Sequence, residues 1–236
     1  MKYEVFQQVR EAYGTCASWA VWDQGACERL RYQPDPRVPS FFLNRAVKRL
    51  NAVNSQADLD GLGWELDPHV VLVALNFAER TGEVRDVVSR LNFHAFHEET
   101  TVTSDQRLRD ACCGTPLWGG YITDLVKMHR GVVQPVRNSS AAEVARLLRS
   151  SEFRRDQING LVAELQLLGC SDPLIVSLGN DVHRVLSSLS VTDRLKEICG
   201  QGTRVVKVTH YSRATGIRFS DYVHRVYQEL ANQSVL

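Results

Sequence analysis

The chain carries almost no net charge and few of the patterns that mark a cofactor-binding protein. Its 236 residues include 28 basic and 27 acidic side chains, which gives a formal charge of +1. The chain has no excess of positive charge that would indicate a polyanion as partner. Any nucleic-acid surface must therefore come from local clustering of basic residues. The six cysteines include no Cys-x-x-Cys pair, the usual spacing in zinc sites and iron–sulfur clusters. We expect neither a metal nor another cofactor.

Long apolar runs and long linkers are also missing. No apolar run approaches the length needed to span a bilayer, and no signal peptide opens the chain, which predicts a cytoplasmic protein without a membrane partner. No linker rich in Pro, Gly and Ser divides the sequence, and a hydrophobic content of 44% is enough for one sizeable core. We predict a single domain over residues 1–236 and expect a monomer. Residues 1–60 are predicted to form a helical N-terminal part packed on the core.

A run of six apolar residues at positions 70–75, rich in valine, predicts a strand that is buried on both faces. Strands of this kind belong to parallel sheets flanked by helices. Further strand-like segments at 119–127 and 174–180, and an apolar run within the stretch 204–214, alternate with helical patterns. We therefore predict a three-layer α/β/α sandwich with a central, mainly parallel four-stranded sheet and N-terminal helices.

Polar side chains follow two of these runs. Asn76 ends the first run, and Thr209, His210 and Ser212 follow the last one. Ligands bind at the carboxyl ends of parallel strands, so an amide and an imidazole are expected at one cleft. The alternatives are structural, because Asn often ends a strand and His210 can be a core histidine with its hydrogen bonds satisfied.

In order and in spacing, these strand ends resemble the motifs of the uracil-DNA glycosylase superfamily. The first motif of the family is Gly-x-Asn-Pro-Gly or Gly-Gln-Asp-Pro-Tyr, and the last is His-Pro-Ser-x-Leu. Its middle strand carries a Thr-Asn or Thr-Asp pair, here Thr123 and Asp124. The resemblance implies a cofactor-free enzyme that binds DNA, flips out a pyrimidine nucleotide and hydrolyses its N-glycosidic bond, leaving an abasic site.

The resemblance also implies a role for each matched residue. Asn76 would hold the attacking water and contact the base, and His210 would donate a hydrogen bond to the base O2 as negative charge develops there. Phe93, or alternatively Phe96, would stack on the flipped base. The other expected base contacts are Phe77, Ala78 and Asp124. The expected DNA contacts are Thr209, Ser212, Arg213, Ile217 and Lys127.

Two of these positions bear on the identity of the base. An ionised Asp124 only accepts hydrogen bonds, so it suits the exocyclic amine of cytosine better than the O4 of uracil. Ala78 stands where strict uracil enzymes hold a tyrosine that blocks C5, so a cytosine with a C5 substituent would fit. Hydroxymethylated and glucosylated cytosines are known mainly from virulent phages, which suggests, through the resemblance, a bacterial defence enzyme. Alternatively, Asp124 caps a helix that begins at Leu125.

Other functions remain as alternatives. They are a uracil or mismatch repair glycosylase and a DNA-binding or sensing module that retains the fold without turnover. A doubly wound nucleotide-binding protein would need a glycine-rich phosphate loop after the first strand, where a single late glycine, Gly82, occurs. The triplet His97-Glu98-Glu99 favours an exposed loop over a metal site.

Overall fold

The computed structural model describes residues 1–22, 41–76, 91–97, 105–129, 131–133, 141–213 and 217–236. The strands of these ranges are, in chain order, β1 (Ser18–Trp19), β2 (Asp67–Asn76), β3 (Gly120–Val126), β4 (Met128–His129), β5 (Val132–Val133), β6 (Leu174–Leu178) and β7 (Arg204–Val208). Strands β4 and β5 form a two-stranded ribbon. The other strands form one sheet in the order β1-β3-β2-β6-β7.

The sheet is mixed. Strands β2, β3, β6 and β7 run parallel, whereas β1 pairs antiparallel with β3. The predicted α/β class is confirmed, but the predicted four-stranded sheet is corrected to five strands. The additional strand comes from the N-terminal part, where helices alone were expected. Two residues are too few to show the alternation of a strand, so β1 left no pattern in the sequence.

Helices cover both faces of the sheet. They are α1 (Tyr3–Tyr13), α2 (Phe41–Asn51), α3 (Gln56–Asp60), α4 (Asp105–Cys112), α5 (Ala141–Leu147), α6 (Ser151–Leu168), α7 (Asn180–Leu186), α8 (Leu189–Cys199) and α9 (Phe219–Ala231). Helices α4 and α9 pack on one face, and the other helices contribute to the apolar cluster on the opposite face. None of the helices in the described ranges combines the length and apolar character needed to cross a bilayer.

Strand β2 is the centre of the core, and its six apolar residues are all buried, as predicted. Successive side chains of a strand point to opposite faces. Val71, Val73 and Leu75 accordingly join the larger apolar cluster, while Leu72 and Ala74 join the cluster under α4 and α9. Full burial of a valine or leucine contributes about 1.5–3 kcal/mol, so this strand alone supplies a large share of the folding free energy.

The strand order places a topological switch point between β2 and β6. From β2 the chain continues to β3 on one side of it, and it later forms β6 and β7 on the other side. The connections diverge at the carboxyl ends of β2 and β6 and leave a crevice there, which is the usual ligand position in open parallel sheets.

Strand β7 lies at an edge of the sheet, and a side chain covers that edge. The backbone N–H of Lys207 donates to Gln233 Oε1 at 2.9 Å, and Gln233 Nε2 donates to the Lys207 carbonyl at 2.8 Å. Gln233 follows α9, so its amide imitates one residue of a neighbouring strand. The Arg204 guanidinium donates to the carbonyls of Gln233 and Ser234 and fixes the residues after α9 on the same edge.

Candidate active site

A small cleft opens at the switch point. Its lining combines the ends of β2, β6 and β7 with the start of α7: Leu75, Asn76, Leu178, Gly179, Asn180, Asp181, His210 and Ser212. The described part of the cleft has a volume of about 110 Å³. Water occupies about 30 Å³ per molecule in the liquid, so the cleft has room for a few waters or for the edge of a small ring. The structure therefore brings Asn76 and His210 together, although they lie far apart in the sequence.

Asn76 is the last residue of β2 and is partly exposed. Its side-chain amide makes no hydrogen bond to another residue of the described ranges, whereas the apolar residues before it are buried in the core. The amide therefore presents both a donor and an acceptor to the cleft on a rigid strand.

His210 is held in one orientation by Ser212. The Ser212 backbone N–H donates to His210 Nδ1 at 3.1 Å, and Ser212 Oγ lies 2.8 Å from the same nitrogen. Because Nδ1 accepts from an N–H group, the neutral ring carries its proton on Nε2. The ring also stacks on Tyr211, with centroids 4.6 Å apart and planes 18° apart. His210 is thereby prepared as a hydrogen-bond donor.

Gly179 allows the imidazole to lie close to the end of β6. A Cβ added to this glycine would lie 3.1 Å from His210 Cβ, and the backbone φ of +96° is one that L side chains rarely adopt. The Gly179 N–H donates to the Val208 carbonyl at 2.8 Å and ties β6 to the end of β7. A side chain here would displace His210.

Asp124 is buried within β3 and lies on the Asn76 face of the sheet. The register pairs Ala74 with Asp124 and Asn76 with Val126, so Asp124 and Asn76 are diagonal neighbours, with Cα atoms roughly 8 Å apart from standard strand spacings. Asp124 is not among the residues that line the cleft described above. The alternative that it caps a helix is wrong, because β3 continues through Val126 and no helix begins at Leu125.

The prediction that Phe93 stacks on the base is wrong. Phe93 is fully buried in the larger cluster, with its ring centroid 5.3 Å from that of Phe6, so it belongs to the core. The alternative residue, Phe96, packs in the other cluster, together with Ala74. Phe96 thus lies on the face of the sheet that carries Asp124 and is the better candidate.

Lys127 is a core residue rather than a DNA contact. Its ammonium is fully buried and donates to Thr123 Oγ1 and to the Asp124 carbonyl, both at 2.6 Å, and it forms an ion pair with Glu164. The hydroxyls of Tyr121 and Thr123 also donate to Glu164, at 2.7 and 2.9 Å. Burial and the Glu164 charge raise the pKa of Tyr121 well above its usual value. Every charge of this network is paired inside the protein, so none is available to a phosphate.

The remaining expected DNA contacts have other partners. Thr209 donates through its backbone N–H and its hydroxyl to the Glu229 carboxylate, both at 2.6 Å, and so joins the end of β7 to α9 instead of binding phosphate. Ser212 holds the His210 ring through its backbone N–H and its hydroxyl. Ile217 packs partly against the cluster under α4 and α9, and its carbonyl accepts from Arg107 at 3.3 Å. The backbone of Arg213 belongs to a short 3-10 turn, and its side chain lies outside the described structure, as do Phe77 and Ala78.

No group of three potential metal ligands occurs among the described residues. His97, the described member of the triplet considered above, is buried, and its Nε2 lies 3.2 Å from the Trp19 carbonyl. Burial lowers the pKa of His97 to about 4, so the ring is neutral at physiological pH. The exposed-loop interpretation is therefore wrong for His97, which is a core residue.

Three cleft residues were missed by the sequence reasoning. Gly179, Asn180 and Asp181 directly follow β6, and the signal was a Gly-Asn-Asp sequence after an apolar run, the same arrangement that singled out Asn76. Lys207 Nζ donates to Asn180 Oδ1 at 3.2 Å, so a cation lies beside the cleft. Asp181 adds a carboxylate.

The cleft thus combines a side-chain amide, an oriented imidazole donor and a carboxylate at the ligand-binding end of a parallel sheet. This set can position a water and stabilise an anion. A comparison with protein-family models finds no matching family, and a comparison with curated proteins finds no match.

Proposed function

We propose that the protein is a DNA glycosylase that binds a flipped pyrimidine nucleotide at the cleft and hydrolyses its N-glycosidic bond. The observation that carries the proposal is the meeting of Asn76 and His210 in one cleft at the switch point of the sheet. The two residues are those that the resemblance to uracil-DNA glycosylases had singled out from the sequence. Asn76 is the last residue of β2, and His210 lies two residues beyond the end of β7, so residues far apart in the chain meet at one edge of the sheet.

The proposed reaction breaks the bond between C1′ of the deoxyribose and the base nitrogen. The base departs with the bonding electrons, water adds to C1′, and the proton released by the water neutralises the base anion, directly or through solvent. The transition state carries positive charge on the sugar and negative charge on the base. Asn76 holds the water by placement, because an amide is no general base. His210 donates Nε2–H to the base O2, where charge accumulates. The Asp181 carboxylate also lines the cleft, where it forms an ion pair with Arg184.

The proposed base is a cytosine with a C5 substituent, in phage DNA. Asp124 and Asn76 are diagonal neighbours on one face of the sheet, with Cα atoms roughly 8 Å apart. The Asp124 carboxylate suits an exocyclic amine. The argument for a C5 substituent comes from Ala78 in the sequence alone.

One assay tests the function directly. The protein is incubated, in buffer with a chelator, with oligonucleotides that contain uracil, cytosine, hydroxymethylcytosine or glucosylated hydroxymethylcytosine, and abasic sites are then cleaved with alkali. Cleavage at the C5-modified cytosine is the expected result. Cleavage at uracil would identify a repair enzyme, and binding without cleavage at any base would identify a sensing module.

Replacing Asp124 by asparagine is expected to shift the excision preference from cytosine-type to uracil-type bases by about a hundredfold or more, because buried sites discriminate strongly between matched and mismatched hydrogen bonds. The measurement is the ratio of excision rates on the two substrates. Thr123→Val is the matched control, since Thr123 points to the opposite face and contacts Glu164. An unchanged ratio of excision rates in Asp124→Asn would show that Asp124 does not recognise the base.

Replacing Gly179 by alanine is expected to slow excision about tenfold or more, because small displacements of a catalytic group are costly. The control is Gly169→Ala. Gly169 also has a positive φ, +68°, but a Cβ there would meet no atom within 4 Å. Both variants carry backbone strain of about 1–3 kcal/mol, measured by urea denaturation. Equal excision rates in the two variants would contradict the contact between Gly179 and His210 as a determinant of activity.

A further inference from the structure

A second concave surface, the arginine groove, lies between helices α5, α6 and α7. Its charged and polar lining residues are Arg149, Arg154, Arg184, Ser188 and Ser190, and it has a volume of about 190 Å³. Ala145, Leu148 and Val185 complete the lining. The groove therefore holds three guanidinium groups, of which Arg184 pairs with the Asp181 carboxylate beside it. The chain as a whole has a formal charge of +1, which makes this a local concentration of positive charge.

The groove residues are suited to bind anions. Arg149 and Arg154 are exposed and make no ion pair with another residue of the described ranges. Arg154 lies in the first turn of α6, a helix of 18 residues whose N-cap, Ser150, accepts from the Phe153 N–H. The N-terminal end of a helix carries a partial positive charge, which Glu152 in the same turn partly offsets, so the exposed guanidinium groups carry the attraction for an anion. A guanidinium binds phosphate oxygens in a bidentate manner, and serine hydroxyls donate to them as well.

The arginine groove and the cleft share helix α7. Asp181 lines the cleft, Arg184 lines the groove, and the two side chains form an ion pair of 3.4 Å. They are three residues apart, about 4.5 Å along the helix axis. Successive phosphates of a DNA strand advance by about 3.4 Å along the duplex. A strand with one nucleotide in the cleft therefore has a phosphate within reach of the groove.

We infer that the arginine groove binds backbone phosphates of the DNA strand next to the flipped nucleotide. This inference rests on the proposed function for the position of the strand. It gives the protein a cationic surface in place of Lys127, Thr209 and Ser212, whose side chains have partners within the protein. The contact is to the backbone, so it contributes affinity for any sequence.

The test compares DNA binding by two triple variants. Arg149→Gln, Arg154→Gln and Arg184→Gln are combined in one protein. Lys2→Gln, Lys196→Gln and Arg225→Gln, none of which lines the groove, are combined in a control with the same change of charge. Fluorescence polarisation of a labelled oligonucleotide is measured over salt concentrations from about 50 to 200 mM.

The groove variant is expected to bind at least about tenfold more weakly at low salt. The slope of log affinity against log salt should fall by about 2, since each lost phosphate contact removes about 0.7 to 0.9. The control should keep the wild-type slope. If the groove variant unfolds, the double variant Arg149→Gln, Arg154→Gln, which leaves the Asp181–Arg184 pair intact, replaces it with an expected loss of about 1.5 in slope.

Several other results would decide whether the arginine groove binds DNA. An unchanged affinity and slope in the groove variant would overturn the inference, as would wild-type protein that does not bind DNA. Wild-type binding to polyglutamate as tight as to DNA would make the groove a site for acidic peptides and would also overturn it. Binding is measured separately from excision. If the groove variant loses DNA binding and the wild type excises no base, the groove is a DNA-binding site but the protein is not a glycosylase.

Discussion

Alanine in place of Asn76 or of His210 is expected to slow base excision by about a hundredfold or more while the protein remains folded. Asn76 would lose the placement of the water, and His210 would lose the donor to the base anion. Asn76 is partly exposed and makes no side-chain hydrogen bond to another described residue, so its removal costs little stability. The measurement is single-turnover excision with the protein in excess, and DNA affinity is determined alongside.

The matched controls are Asn54→Ala and His69→Ala. Both residues are exposed, and His69 lies near the opposite end of β2, where its Nδ1 contacts the Ser171 carbonyl at 2.9 Å. Wild-type rates are expected for both. Full activity in Asn76→Ala or His210→Ala would remove that residue from the reaction. A loss of rate fully explained by weaker DNA binding would make it a binding residue.

The second large effect is on stability. Replacing Lys127 by alanine is expected to lower the free energy of unfolding by about 3–5 kcal/mol, because the Glu164 carboxylate would be left buried without its cation. The variant that removes both charges, Lys127→Met with Glu164→Gln, should recover most of this loss. The amide oxygen of the glutamine that replaces Glu164 can still accept from the Tyr121 and Thr123 hydroxyls. Urea denaturation monitored by circular dichroism gives the values.

Lys48→Ala serves as the control for the Lys127 variant. Lys48 is an exposed lysine in α2, so its loss should change stability by no more than about 0.5 kcal/mol. The result that contradicts the core assignment of Lys127 is normal stability combined with a reduced salt dependence of DNA binding. That combination of results would support Lys127 as a DNA contact.

The strands and the place of the site could be predicted because their signals are local. Valine-rich runs such as 70–75 can only be stable when buried on both faces, and the polar residue that ends each run falls at the same edge of a parallel sheet. The sequence therefore predicts Asn76 and His210 in one cleft. The cleft residues after β6 carried the same signal and were overlooked.

The errors concern side chains whose partners are distant in the sequence. Lys127 lies at the end of a strand, as Asn76 does, but its partner Glu164 comes from α6, and no local sequence pattern indicates that pair. Thr209 is likewise bound by Glu229 of α9. Phe93 and Phe96 both have positive φ, 60° and 67°, in a turn that sends their rings to opposite faces of the sheet. L residues rarely adopt this backbone, so the sequence could not indicate which ring reaches which face.

The cover that Gln233 places on β7 has a consequence for how the protein behaves at high concentration. An uncovered edge strand is a template to which another chain can add a strand, the first step of much aggregation. Here the backbone groups of Lys207 that would begin such pairing are already occupied. The same strand leads directly to His210, so an intermolecular strand added to β7 would also press on the mouth of the cleft. Gln233 thus opposes the addition of a strand at Lys207, three residues before His210.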